Sequence, residues 1–159
     1  MVLCLALLLT MPGAPCIYYG TEVGLEGGPD PDSRRGFPWD AMGAAPALTQ
    51  ALQELIELRH SEPGLRSPDY ERIGPALGPD FGRTYLYARG TGSERIVIAI
   101  NHADEPDEVP LNETGLFDQP KLLWSQGSVS ADNSSIDMPS SIHMPPRSIA
   151  IWSSPPTPS

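Results

Sequence analysis

Four carboxylates (Glu22, Glu26, Asp30, Asp32), two arginines (Arg34, Arg35) and the rings of Tyr18, Tyr19 and Trp39 fall within residues 13–39, GAPCIYYGTEVGLEGGPDPDSRRGFPW. Asp and Arg each make several hydrogen bonds at once, and Arg presents its donors as a fixed fork. Asp30 with Arg34 is therefore the pair best equipped to grip a ligand rich in hydrogen-bonding groups. The plainer reading is a salt bridge internal to the loop, and both roles can hold together. Glu22 offers either a ligand contact or a structural pairing. Tyr18 and Tyr19, as neighbours on an extended segment, are expected on opposite sides, one toward a cleft and one toward packing. Trp39 can stack on the apolar face of a ligand or anchor the loop.

Metal chemistry finds little support. His60, His102 and His143 are too scattered in sequence to suggest a ligand set. Asp30-Pro31-Asp32 begins like a calcium loop, but Arg34 and Arg35 stand where an oxygen ligand and a glycine belong. No metal and no cofactor is expected.

These residues need elements to hold them. Residues 2–10 are leucine-rich with no polar face, as in a helix buried on all sides. Met11-Pro12-Gly13 stops that helix. Residues 14–19 read as a short strand, apolar on both faces, like a parallel strand covered on both sides. Residues 21–44 carry five glycines, three prolines and no periodicity, and a loop of that length is more often functional than accidental. Residues 45–61 form the clearest helix: Leu48, Leu52, Leu55, Ile56 and Leu58 make one stripe, with Gln50, Gln53, Glu54, Glu57 and Arg59 facing outward. From residue 68 the pattern changes to short strands: 70–73, 84–89, 95–101, 109–111, 121–125, 136–138 and 148–152. Residues 84–89 and 95–101 flank a Gly-rich turn as a hairpin. This spacing predicts an antiparallel sandwich. Residues 153–159, SSPPTPS, read as a tail.

The 159 residues suit one domain, or part of one with a small second domain. Twenty acidic against ten basic residues give a net charge of −10, which argues against nucleic acid and against an anionic membrane surface. Cys4 and Cys16 form no CxxC pair and read as buried free thiols, with a single bridge between them as the alternative. The apolar start resembles a signal peptide but lacks a basic n-region, and it is too short to span a membrane. A cleaved signal on a small secreted or lipid-anchored β protein is the competing reading of residues 1–16. The compartment stays open, with the cytoplasm favoured. The sequons at Asn112 and Asn133 read as chance matches.

The segment LLLTMPGAPCIYYGTEVGL resembles the last barrel strand of the α-amylase family of glycoside hydrolases (family 13), whose pattern is Pro-Gly-x-Pro-x-Ile-Tyr-Tyr-Gly-x-Glu-x-Gly. DPDSRRGFPWD resembles the Asp-Pro-x-x-Arg…Pro-Trp loop that follows it. LIELRHSEPGLR is similar to the eighth barrel helix, and HMPPRSIAIW to the closing strand of the C-terminal β domain. Neopullulanase-like and maltogenic amylase-like enzymes are the subgroup it most resembles. The resemblance implies that residues 1–65 end a (β/α)8 barrel, with the last β/α unit of that TIM barrel present, and that residues 66–154 form an all-β antiparallel sandwich, with 155–159 as a tail. It implies an α-glucan oligosaccharide as substrate, Asp30, Arg34, Tyr19 and Glu22 as substrate-binding residues, and the missing N-terminal barrel portion as partner. The family's nucleophile Asp, acid Glu and third Asp would all lie upstream of Met1. Retaining glycoside hydrolysis needs two carboxyls about 5–5.5 Å apart on opposite sides of the bond. Glu22, Glu26, Asp30 and Asp32 share one loop, so no catalytic residue is assigned. The alternative function is a non-catalytic glucan-binding or structural β-sandwich module, with Trp124 and Trp152 either a sugar platform or simply core.

Overall fold

The computed structural model describes residues 1–73, 83–110, 120–129 and 141–153. The expected strand at 136–138, Leu111, both sequons and the tail from residue 154 lie outside them. Two helices, α1 (Val2–Thr10) and α2 (Pro46–Ser61), precede seven strands. These are β1 (Tyr70–Ile73), β2 (Thr84–Arg89), β3 (Ile96–Asn101), β4 (Asp107–Pro110), β5 (Lys121–Gln126), β6 (Ser141–Met144) and β7 (Ser148–Ser153). Five strands form one antiparallel sheet in the order β1-β2-β3-β7-β5, and β4 pairs with β6 in a second.

Alternation along the strands explains the layering. On β3, Ile96, Ile98 and Ile100 face one way, toward Leu5, Leu9, Leu52 and Leu55 of the helices. Val97 and Ala99 face the other way, with Leu86, Ala150 and Trp152, toward Val109, Ile142 and Met144 of the small sheet. A period of two thus builds two apolar layers from one strand. The result is helices on one face of the large sheet and a sandwich on the other. The helices and the sheet share one core, so the apolar cluster crosses the expected boundary near residue 65. Gly64, in the turn leaving α2, and Gly90, after β2, approach so closely that a Cβ at Gly64 would meet the Glu94 carbonyl oxygen at 2.0 Å. Only glycine fits that crossing.

Four expectations need correction. Residues 14–19 form no ladder: Ala14, Pro15, Cys16 and Ile17 make no backbone hydrogen bond to any described residue. The backbone is extended there, but a strand exists only with a partner. Tyr18 and Tyr19 consequently do not split across a sheet; their rings lie 4.6 Å apart, both exposed. Trp152 is 1% exposed and belongs to the sandwich core, while Trp124 donates Nε1–H to Glu54 Oε2 at 2.8 Å. Trp152 therefore offers no sugar platform, and Trp124 is half-buried with its ring N–H engaged. Cys4 and Cys16 are exposed rather than buried.

Arg59 is the clearest surprise in α2. It is buried, not outward, because the end of α1 needs it. The last carbonyls of a helix have no intrahelical partner. Arg59 donates to Leu9 O (2.5 Å), Met11 O (3.3 Å) and Gly13 O (2.6 Å). Arg89, fully buried on β2, donates to Thr10 O, Ser67 O and Asp69 O (2.7 Å for the last). Two guanidinium groups therefore fasten the end of α1 and the start of residues 13–19 to the helix and sheet beneath.

Tyr87 completes this joint. Thr10 Oγ1 donates its single proton to Ala6 O (2.6 Å), so the Tyr87 hydroxyl donates to Thr10 Oγ1 (2.6 Å). Burial pushes the Tyr87 hydroxyl pKa well above its ordinary value, and burial with the Tyr85 contact pushes Tyr70 up to about 12. A raised folded pKa means that the native state holds protons the unfolded chain releases above about pH 10. Stability is therefore full below about pH 10 and falls as pH rises through the folded values. Tyr87→Phe should cost about 1 kcal/mol at pH 7 and should flatten this alkaline loss. Urea titrations between pH 8 and 11 read both effects, and an unchanged alkaline slope would contradict the assignment.

Among the described residues, no helix is long and apolar enough to cross a membrane, and no three His, Cys, Asp or Glu side chains cluster as metal ligands.

Candidate functional site

The loop between the extended segment and α2 is shaped by local turns. Gly20 (φ 87) and Gly24 (φ 72) bracket a short 3-10 turn over Thr21–Val23, and the left-handed backbone at both ends suits glycine. Leu25 N–H closes the turn onto Gly20 O at 2.8 Å. Thr49 Oγ1, on α2, donates to Glu22 O at 3.0 Å and pins the turn to the helix. Further along, the Asp30–Pro31 peptide is cis and Asp32–Arg34 forms a second 3-10 turn.

That second turn aims the arginines. Arg34 Nε and Nη2 both donate to Asp30 Oδ1, at 2.9 and 2.6 Å. The two side chains stay largely exposed, so the pair is preorganised but wet. Arg35 pairs with Asp32 Oδ2 at 3.2 Å. Tyr19 donates its hydroxyl to Arg35 O at 2.7 Å, tying the end of the extended segment to the same turn. Desolvation, then the hydrogen bond with Tyr18, holds the Tyr19 hydroxyl above its ordinary pKa.

The sequence-predicted residues are only partly brought together. Tyr19 and Glu22 line a groove of about 750 Å³ with Phe37, Trp39 and Met42 of the loop and Thr49, Gln50 and Gln53 of α2. Trp39 is 75% exposed on its rim and stacks edgewise near Phe37, ring centres 4.7 Å apart. A second, smaller cavity of about 270 Å³ lies between Tyr18, Tyr19, Glu26, Asp32 and Arg35. Asp30 and Arg34 line neither of these cavities and stand on the open side of the loop. Phe37, Met42, Thr49, Gln50 and Gln53 escaped sequence reading. One available signal was that Thr49, Gln50 and Gln53 share one face of a helix that starts where the loop ends.

Chemically, the loop presents hydrogen-bonding forks and exposed ring faces. Two of its carboxylates, Asp30 and Asp32, are already held by arginines.

No family model matches the chain. It is 36% identical over 103 residues to a cyclomaltodextrinase of Geobacillus thermopakistaniensis (strain MAS1), a match covering 65% of this chain and 17% of the relative. It is 33% identical over 127 residues to a maltogenic alpha-amylase of Bacillus acidopullulyticus, covering 80% and 22%. The chain thus spans about a fifth of the length of these curated relatives. Among solved structures, a debranching enzyme from Nostoc punctiforme superposes with a TM-score of 0.71 at 36% identity, over 96% of this chain and 30% of the other. On these matches, the chain belongs to the α-amylase family of glycoside hydrolases.

Proposed function

We propose that this chain is the C-terminal portion of a glycoside hydrolase acting on α-glucans such as maltooligosaccharides, cyclodextrins or pullulan. In this reading α1, residues 13–19, the loop and α2 are the last β/α unit of a TIM barrel, and the strands from β1 onward are its C-terminal β domain. The loop follows the end of the extended segment, where barrels of this kind carry their active sites. It forms one wall of the cleft. Asp30 and Arg34 hold a sugar unit, and the catalytic carboxylates are supplied by the remainder of the barrel.

The observation that carries this reading is the preorganised, exposed Asp30–Arg34 fork on the loop that follows the extended segment. The names of the relatives support an α-glucan as ligand. The purified 159-residue chain is expected to hydrolyse none of the three substrate classes. Reducing-sugar release that persists in Asp30→Ala would sink the claim that catalysis resides elsewhere.

A further inference from the structure

The groove between the loop and α2 joins aromatic walls to polar groups of one kind. Tyr19, Phe37 and Trp39 supply three rings. Phe37 and Trp39 meet at 54° with centres 4.7 Å apart, so the two rings make a corner rather than a flat wall. The face of an aromatic ring carries the negative part of its quadrupole and attracts cations. No Lys, Arg or His is among the described residues that line the groove. Its volume of about 750 Å³ suits a small organic molecule.

The hydroxyls at this groove have spent their protons. Tyr19 donates to Arg35 O at 2.7 Å, and Thr49 donates to Glu22 O at 3.0 Å with Ala45 O at 3.2 Å. Toward a ligand both oxygens can only accept. Gln50 is set the same way from a distance. Trp124 Nε1–H on β5 donates to Glu54 Oε2, and the Gln50 amide nitrogen donates to Glu54 Oε1, both at 2.8 Å. The hydrogen bonds from Trp124 and then Gln50 hold the Glu54 carboxyl below its ordinary pKa. An ionised carboxylate only accepts, so Gln50 must give it the nitrogen end of its amide, and the carbonyl oxygen is the end left for the groove. Glu22 adds a carboxylate whose buried Oε2 has no hydrogen-bond partner among the described residues. Buried carboxylate oxygens in native proteins are paired. Both arginines of the loop are already engaged, Arg34 by Asp30 and Arg35 by Asp32. The terminal torsion of a Glu side chain is soft, so the carboxylate can meet a cation in the groove it lines.

We infer that the groove binds a small organic ammonium ion, a protonated primary amine whose N–H groups donate to Glu22 and its neighbouring acceptors while its apolar body lies against Tyr19, Phe37 and Trp39. An ammonium group donates and never accepts, which matches this lining. Its charge offsets Glu22 in a chain with a net charge of −10. A neutral hydroxyl also donates, but it leaves the carboxylate charge uncompensated and gains no cation–ring attraction. An anion meets Glu22 with nothing in the groove to offset it. The site stands apart from the Asp30–Arg34 fork, which does not line this groove, so the inference holds whether or not that fork grips a sugar.

The test is calorimetric titration of the 159-residue chain at pH 7 with probes that share one apolar body: 2-phenylethylammonium, 2-phenylethanol and 3-phenylpropanoate. The ammonium ion should bind about tenfold or more tighter than the alcohol, the worth of a charge-assisted hydrogen bond joined to a cation–ring contact, and the propanoate should not bind. Glu22→Gln should remove that advantage and leave the alcohol unchanged, whereas Trp39→Ala should weaken both. Neither substitution should move the melting midpoint, because Glu22 Oε2 has no partner to lose and Trp39 is 75% exposed. No binding of the ammonium ion at millimolar concentration, equal affinity for ammonium and alcohol, or ammonium binding untouched by Glu22→Gln overturns the inference. Displacement of the ammonium ion by maltotriose would make the groove a sugar site and overturn it too. The proposed hydrolase function is read separately, from cyclodextrin hydrolysis, so the two can fail independently.

Discussion

Replacing Arg89 by Met should destabilise the protein by about 3 kcal/mol, the largest single loss expected on the sheet side of the helix–sheet joint. Its guanidinium is fully buried and feeds Thr10 O, Ser67 O and Asp69 O. Met fills similar space without a donor, so three carbonyls lose their partner in a site that water enters poorly. Burial and then the nearby Arg59 charge hold the Arg89 pKa below its ordinary value, yet a guanidinium stays charged at any working pH. The effect should therefore be insensitive to pH between 6 and 9. For a chain of this size the melting midpoint should fall by roughly 6–12 °C. Lys should rescue little, because a point charge cannot reach three divergent carbonyls as a fork does. Arg59→Met combined with Arg89→Met should lose less than the sum of the two, since both hold the end of α1. Loss equal to the sum would mean that the two guanidinium groups act on separate units.

Arg34→Ala is the functional counterpart. In a chimera in which this chain replaces the matched segment of the Bacillus acidopullulyticus maltogenic alpha-amylase, it should lower kcat/KM for maltooligosaccharides by about 10–100-fold, the worth of charge-assisted hydrogen bonds to substrate. Stability should hardly change, because an exposed ion pair contributes little to folding. A contact made equally in ground and transition states would raise KM and leave kcat alone. Asp30→Ala should reproduce the effect, because Asp30 is what fixes the Arg34 fork. If both substitutions leave kinetics unchanged, the pair only shapes its loop.

Much of the fold was legible because period and punctuation agreed. The residues of β2 and β3 announce themselves by β-branched and aromatic runs on either side of a Gly turn, and their observed register, Thr84 against Asn101 and Arg89 against Ile96, is what that hairpin requires. The stripe of α2 was equally plain. β6 was missed: SIHM is four residues long and half polar, and only its pairing with β4 makes it a strand. Residues 14–19 failed in the opposite direction. Their composition demands a strand, and the partner that would make one is not among the described residues.

The site was legible in part for the same reason. Asp30 and Arg34 stand four residues apart in one turn, so local sequence sufficed to pair them. Arg59 could not be placed from sequence, because the carbonyls it serves lie 46 to 50 residues earlier, at the end of α1 and just beyond it. The groove depends on Thr49 meeting Glu22 across two elements, which no local pattern states.

Hydrolysis of cyclodextrin by the chimera tests the central claim most directly. If this chain completes an α-glucan hydrolase, the folded chimera cleaves cyclodextrin, the 159-residue chain alone does not, and Arg34→Ala lowers the chimera's kcat/KM. A folded chimera that is inert, or a lone chain that cleaves cyclodextrin unaided, would contradict it.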